Sequence, residues 1–385
     1  MVVRGITFYI DDPPVEIKYL SEDFRLAVNK AIRAGLQSGI TSRYKLSNLV
    51  YKDLRSEHQI YAQHVVSAIE IAASILKNYR RAIRKGMNPK KPYIKRLMMK
   101  AENQAYKLDR KNGEVDLPIR AGLHVKLKII VSDYHRKYLD NPSYSLGPLT
   151  LLPGRAVIAF RKDASKPYMP KAALALDTNE ISLDGIFVNA KRKKATAIKS
   201  DYSEIPIIQQ RHYLRRKKLQ TKKAHDRRTM RKLCRKEGRR EHDRIKYRLH
   251  ETANNLLSYA KDNKAIIILE DLTGMRAQRA NPKINRRLSS WPRRKLHQII
   301  EYKAEWEGIS VIKLNPRNSS RTCPRCGSIK KSRLGKIFKC KQCGWQIDRQ
   351  INAGINLLQT AISKEMVGGL RFSLDALQHD PVISI

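Results

Sequence analysis

The chain has 385 residues and sets 79 Lys and Arg against 35 Asp and Glu, a formal charge of +44. That length suits two or three domains with cores of their own, since single domains run to about 100–200 residues, and a positive balance this large is tolerated best beside a polyanion, so nucleic acid is the expected partner. No run of about 18 apolar residues occurs and no signal peptide opens the sequence, so a soluble, cytoplasmic chain is expected.

In chain order, "VVRGITFYI" is β-rich and reads as a strand stopped by "DDPP", because proline removes a ladder donor. From "SEDFRLAVNKAIRAGL" the period becomes helical, with Ser21 as the expected N-cap and Phe24, Leu26, Val28, Ile32 and Leu36 on one face. A second helix follows in "HQIYAQHVVSAIEIAASILKNYRRAIRKG", with Ile60, Tyr61, Val65, Ala68, Ala72, Leu76 and Tyr79 near one face and Gly86 as its stop. Residues 92–171 return to β character in "HVKLKIIV" and in "PLTLLPGRAVIAFR", where Pro-Gly separates two apolar runs. The expectation is a β-rich domain over 1–20 and 92–171, interrupted by a helical block over 21–91.

"AALALDTNEISLDGIFV" reads as a hairpin with Asp177 at the end of its first strand. Residues 191–264 are polar and basic, with Leu214, Leu219, Leu233, Tyr247, Leu249, Leu256, Leu257 and Tyr259 spaced for a helix or helical hairpin. A run such as "RKLCRKEGRR" serves either as a solvated helix face or as a phosphate contact, and Tyr202, Tyr213 and Tyr247 are either channel or core residues. "KAIIILEDL" is a strand buried on both faces that ends at Glu270 and Asp271, and "GISVIKLNP" reads as a second such strand, with a helix in "WPRRKLHQIIEYKAEWEG" between them. Residues 362–385 give no assignable pattern.

Cys323, Cys326, Cys340 and Cys343 form CxxC, thirteen residues, CxxC. Each pair fits one tight turn that aims two sulfurs at one ion, each is followed by a glycine suited to positive φ, and four thiolates close a tetrahedral structural Zn2+ site. Disulfides or an iron centre are the rival reading. Cys234 stands apart as an ordinary thiol. The stretch "SIKKSRLGKIFK" between the knuckles reads as a basic hairpin, either touching phosphate or simply stabilising the insert. Three acids share one logic: Asp177 and Glu270 at strand ends and Asp348 at a helix start, a pattern that suits Mg2+-assisted phosphodiester hydrolysis.

"ALALDTNEISLDG", "IIILEDLTGM", the two knuckles and "DRQINAGINLL" occur in the order of the split nuclease motifs and zinc ribbon of the TnpB family, the OrfB-type insertion-sequence proteins related to type V CRISPR effectors. The resemblance covers most of the chain. It implies an α+β, α/β multidomain fold: a wedge domain carrying a helical recognition insert, then an RNase H-like (RuvC-type) nuclease core over 172–317 and 346–361, with the zinc ribbon inserted at 318–345. It further implies a guide RNA, a double-stranded DNA target beside a short adjacent motif, and Mg2+-dependent cutting by Asp177, Glu270 and a third acid. Here the sequence departs: the family typically reads D-R-D-x-N-A-A-x-N, and the position of its second Asp holds Gln350. Asp348 then either turns inward as the third acid or serves only as the helix N-cap. The alternatives that follow are a nuclease-inactive guided DNA-binding protein and, third, a transposase accessory, although no tyrosine-recombinase pattern or HUH histidine pair is present.

Overall fold

In the computed structural model, which describes residues 1–189, 194–221, 226–273, 281–330, 335–374, 377 and 383–385, the alternating N-terminal stretch forms β1 (Val2–Ile10), whose Ile6, Phe8 and Ile10 turn inward. The chain divides into two units, Met1–Asp163 and Ala164–Ile385. In the first, α1 (Val15–Ser38), α2 (Arg43–Glu57) and α3 (Ala62–Arg84) follow β1. Then come β2 (Met99–Ala101), β3 (Lys107–Asp109), β4 (Glu114–Arg120), β5 (Leu123–Ile130), α4 (Asp133–Leu139), β6 (Ser145–Leu152) and β7 (Arg155–Lys162). The sheet order is β2-β6-β7-β1-β5-β4-β3, so the first strand of the chain lies near the middle and pairs antiparallel with both β7 and β5. Gly154, at φ +68°, closes the β6–β7 turn where the sequence reads Pro-Gly.

The helical block differs from expectation at its start. Helix α1 begins six residues before Ser21, because Ile17 and Leu20 extend its apolar face; Pro14 precedes the first turn and Ser21 is buried within the helix. Leu26 points to solvent while Phe24, Val28 and Ile32 are fully buried, each worth about 1.5–3 kcal/mol of transfer from water for its large side chain. Gly86, at φ +73°, follows the end of α3.

The second unit contains β8 (Ala172–Thr178), β9 (Ser182–Asn189), β10 (Lys194–Asp201), α5 (Glu204–Thr221), α6 (Arg227–Asp262) and β11 (Ala265–Glu270). It continues with α7 (Pro282–Ser290), α8 (Arg293–Glu307), β12 (Val311–Leu314), β13 (Ile337–Lys339), β14 (Gln346–Asp348), α9 (Arg349–Ser363) and β15 (Ile383–Ser384). Its main sheet runs β12-β11-β8-β9-β10-β15, with β12, β11 and β8 parallel and β9 antiparallel to β8. Alternation splits the central strands between two cores. Leu174, Leu176, Ile267 and Leu269 face α5, α6 and α8, whereas Ala173, Ala175, Ile266 and Ile268 face α9.

Three sequence expectations change here. Strand β10 was missed inside the basic region, where Ala195 and Ile198 supply only a short apolar signal between lysines. Strand β12 is an edge strand and largely half-buried, because among the described residues only β11 flanks it. In the α5–α6 hairpin, Leu249, Leu256 and Leu257 enter the core but Leu214, Leu233 and Tyr247 are exposed. That distal half is held by ions instead: Glu237 lies against buried His212 at 2.8 Å and Arg215 at 3.3 Å, and Arg216 pairs with Glu241. Tyr202 is a core residue whose hydroxyl donates to the Asn179 and Ser182 carbonyls, and Tyr213 stacks under the Arg286 guanidinium. No helix among the described residues is long and apolar enough to cross a membrane.

Candidate active site and metal centre

The register of the central sheet sets the site. Leu269 of β11 pairs with Leu176 of β8, so the next residues, Glu270 and Asp177, stand side by side at the strand ends. Both face α9, because Ala175 and Ile268, two residues earlier, belong to the core under that helix. The two side chains are close enough for each to shift the titration of the other. Burial raises both carboxyls above their ordinary range, and the Asp177 charge raises Glu270 further, to about 9. Ser319, in the turn after β12, lies with its hydroxyl 3.4 Å from Glu270 Oε1.

A third acid, itself buried, joins the half-buried Asp177 and the buried Glu270, and the sequence reading passed over it. Asp184 of β9 is the cross-strand partner of Asp177, so the two share a face. It is 5% exposed, and its Oδ2 accepts from Ser182 Oγ at 2.6 Å and Asn179 Nδ2 at 2.9 Å. Burial pushes its carboxyl up, and Asp348 pushes in the same direction. The signal was in the sequence: a turn placed at Asn179–Ser182 pairs residue 177 with 184. Glu270, Asp177 and Asp184 therefore form a row across β11, β8 and β9, at strand spacings of about 4.8 Å. Their oxygens do not converge on one point, for among the described residues only the four cysteines bring three or more ligand atoms mutually within 4.8 Å.

Asp348 is the N-cap of α9. Its Oδ1 accepts from the backbone N–H of Gln350 at 2.8 Å and of Ile351 at 3.4 Å. Asp348 thus takes the capping role, and its charge raises Asp184. Arg349, the next residue, lowers Asp177. Helix α9 comes this close because Gly354 carries no Cβ; one added there would lie 2.7 Å from Gly185 Cα and 2.8 Å from the Ala175 carbonyl oxygen. His297 is buried on the opposite face of β8, bonded to Thr178 Oγ1 at 2.8 Å, with its imidazole pushed down to about 4 by burial, so it is a neutral core residue.

The four cysteines converge as expected. Cys323 and Cys343 sulfurs are 3.5 Å apart and those of Cys326 and Cys340 are 3.6 Å apart. A tetrahedral shell with metal–sulfur bonds of about 2.3 Å sets its sulfurs about 3.8 Å apart, so this donor set fits Zn2+. Gly327 and Gly344 both adopt φ +75°, as the knuckle turns require. Hydrogen bonds from Ser328 Oγ first, then from the Cys343 and Gln342 backbone, lower the Cys340 thiol to about 6, which favours the thiolate a metal needs. The expected hairpin between the knuckles takes another form. Residues 331–334 lie outside the described residues, while the ends of the stretch pair elsewhere: Ile329 bridges to Thr322 across the first knuckle, and β13 pairs with β14 across the second.

Two sets of cations stand out on the α5–α6 hairpin. Arg215, Arg216, Arg240 and Arg248 have carboxylate partners. Arg227, Arg228, Arg231, Lys232, Arg235, Lys236 and Arg239 line one open groove, all exposed and, among the described residues, without an ion-pair partner.

Fold and site together define a mixed α+β protein with a paired-carboxylate sheet and a four-cysteine ribbon beside it. A family model described as Cas12f1-like, TNB domain, matches residues 294–357, and one described as the uncharacterized protein MJ0013 family matches residues 20–117. The TnpB-like protein MJ0751 of Methanocaldococcus jannaschii is 27% identical over 61% of this chain and 86% of its own length. The TnpB-like protein MJ0012 of the same organism is 32% identical over 37% of this chain and 67% of its own length. The CRISPR-associated endodeoxyribonuclease Cas12f1 of Sulfoacidibacillus thermotolerans is 39% identical over 27% of this chain and 24% of its own. The fold is shared with the cryo-EM structure of a Cas12f1–sgRNA–target DNA complex, with a TM-score of 0.57 at 14% identity, covering 89% of this chain and 81% of that one. The chain belongs to the TnpB family.

Proposed function

We propose that this protein is an RNA-guided DNA endonuclease that hydrolyses target DNA with Mg2+. The observation that carries the reading is the Asp177–Glu270 pair: a half-buried and a buried carboxyl side by side on neighbouring parallel strands, each perturbing the other, at the strand ends that α9 covers. Two acids forced together in a buried site repel unless a proton or a cation stands between them, and hard oxygen donors are what Mg2+ takes. Counted in chain order, the five core strands run 5-4-1-2-3 with the second antiparallel, which supports an RNase H-like (RuvC-type) core. The endodeoxyribonuclease relative and the guide- and target-bound structural neighbour support the substrate and the guide.

In this reading Asp177 and Glu270 would hold the cation, both as carboxylates. When bound, Mg2+ supplies an activated water and stabilises the leaving oxygen of the phosphodiester. The third negative charge, absent at Gln350, comes from the corner where Asp348 and Asp184 meet. Asp348 keeps Oδ2 outside its cap, and Asp184 faces Asp177 directly. Zn2+ on Cys323, Cys326, Cys340 and Cys343 is structural, with all four positions taken by protein. The first unit serves as wedge and recognition domain. The unpaired cations of α6 follow the phosphate backbone of the guide or of its hybrid with target, leaving sequence choice to base pairing.

Gln350 favours one second reading, a guided DNA-binding protein without nuclease activity. The two separate in one experiment. The chain is expressed with its flanking DNA, purified with the RNA it retains, and given a duplex matching that RNA, with Asp177→Asn alongside. Mg2+-dependent cutting that Asp177→Asn abolishes, with RNA retention unchanged, supports the endonuclease; equal occupancy without cutting supports the second reading.

A further inference from the structure

Helix α9 touches the ribbon through amides rather than through apolar packing alone. Asn352, Asn356 and Gln359 stand one and two turns apart on one face of the helix. Asn352 Nδ2 donates to the Thr322 carbonyl at 2.9 Å. Asn356 Nδ2 donates to the Ser319 carbonyl at 2.7 Å and to that of Thr322 at 2.9 Å. Gln359 Nε2 reaches the Pro324 carbonyl at 3.0 Å. Thr322 and Pro324 flank Cys323, so the same few residues carry a knuckle sulfur. At the other end of this segment the Ser319 hydroxyl is within reach of two alternative acceptors, Glu270 Oε1 at 3.4 Å and the Pro316 carbonyl at 3.0 Å. Residues 319–324 thus tie the carboxylate pair, α9 and the knuckle together in one short stretch. Its geometry is stiff: Asn318 holds a φ of +64°, and the Arg321 and Thr322 amides both bond back to its carbonyl.

We infer that Ser319 is a positioning residue through which the metal-loaded knuckle sets the rotamer of Glu270. This rests on the reading of Asp177 and Glu270 as a divalent-cation site and of the cysteines as a zinc site. The Ser319 hydroxyl, turned from the Pro316 carbonyl onto an ionised Glu270, fixes which oxygen of that carboxylate remains for a cation, and the Ser319 backbone is itself held by Asn356 on one side and by Cys323, four residues on, on the other. An empty knuckle releases Cys323, the turn slackens, and Glu270 loses that restraint. Binding at the two sites is then coupled, and coupling of binding free energies is reciprocal: a cation at the carboxylates tightens zinc in the knuckle by the same factor as zinc tightens the cation.

The test uses the full-length protein and Mn2+ alone, its binding followed by the loss of the free-ion EPR signal, with cobalt in the knuckle to report its state by absorption. Ser319→Ala is expected to weaken Mn2+ at least fivefold with the cobalt spectrum unchanged, while Ser319→Thr, which keeps the hydroxyl, retains affinity. Removing zinc from the unaltered protein is expected to weaken Mn2+ by a similar factor, and Asp177→Asn to abolish the high-affinity site. If Ser319→Ala and zinc-free protein bind Mn2+ as the unaltered protein does, while Asp177→Asn does not, the coupling is wrong and the cation site stands. If Asp177→Asn leaves Mn2+ binding intact, the cation-site reading falls and this inference with it.

Discussion

Replacing Arg231, Arg235 and Arg239 by Gln removes three of the seven cations that line the α6 groove without ion-pair partners. They recur every four residues, so they leave one face of the helix, and Gln keeps nearly the same helix propensity as Arg. The ion network that holds α5 to α6 is untouched, because Glu237 pairs with His212, Arg215 and Arg240. If each arginine neutralises one phosphate, the slope of log K against log salt falls by about 0.9 per contact, or about 2.7 in all. Between 50 and 200 mM salt the unaltered protein then loses about 40-fold more affinity than the triple variant does. The assay is fluorescence anisotropy of a labelled RNA–DNA hybrid titrated at several salt concentrations. Equal slopes, with or without lower affinity, refute a phosphate role for this face and leave it a solvated helix surface.

Ranking the corner acids comes next: Asp348→Asn and Asp184→Asn are each expected to lower the cleavage rate by tenfold or more with RNA retention unchanged, and full activity in either variant removes that residue from the set. Gly354→Ala gains about 1 kcal/mol of helix propensity but loses about 1–3 by overpacking against Gly185 and Ala175. Thermal melting is expected to fall by a few degrees, and an unchanged or higher Tm shows that α9 has room to move. His64 is buried beside the Pro118 carbonyl at 2.8 Å, and burial lowers its imidazole from 6.5 to about 4. The folded form keeps it neutral, so its contribution, roughly 3 kcal/mol, is whole above pH 6.5 and disappears as pH falls towards 4. Urea unfolding at pH 7.5 and 4.5 checks this against His64→Gln, which should lose less stability on acidification; equal losses refute it.

The parts legible in the sequence were those fixed by spacing or by strict alternation. The CxxC pairs with their glycines, the uniformly apolar β11 and the alternating β5 each identify themselves without help from the rest of the chain. What was not legible depends on partners far away in sequence. Whether "GISVIKLNP" is central or an edge is decided by which strand lies beyond it, and among the described residues none does. Leu214 and Leu233 follow a helical period like core residues, yet their half of the hairpin packs through Glu237 and His212. Ser21 has the chemistry of a cap, but Ile17 and Leu20 give α1 a reason to start earlier. Asp184 needed the register of one hairpin, and Ser319 needed the fold itself.

The central claim is that the site still cuts although Gln350 stands where the family's third acid is expected. The most direct test is a single-turnover cleavage assay with the purified protein–RNA complex, its matched target duplex and Mg2+, with Glu270→Gln run beside it. Cutting of the target by the unaltered chain and none by Glu270→Gln is the predicted result. Stable occupancy of the same duplex by both proteins, with the DNA left whole, contradicts it.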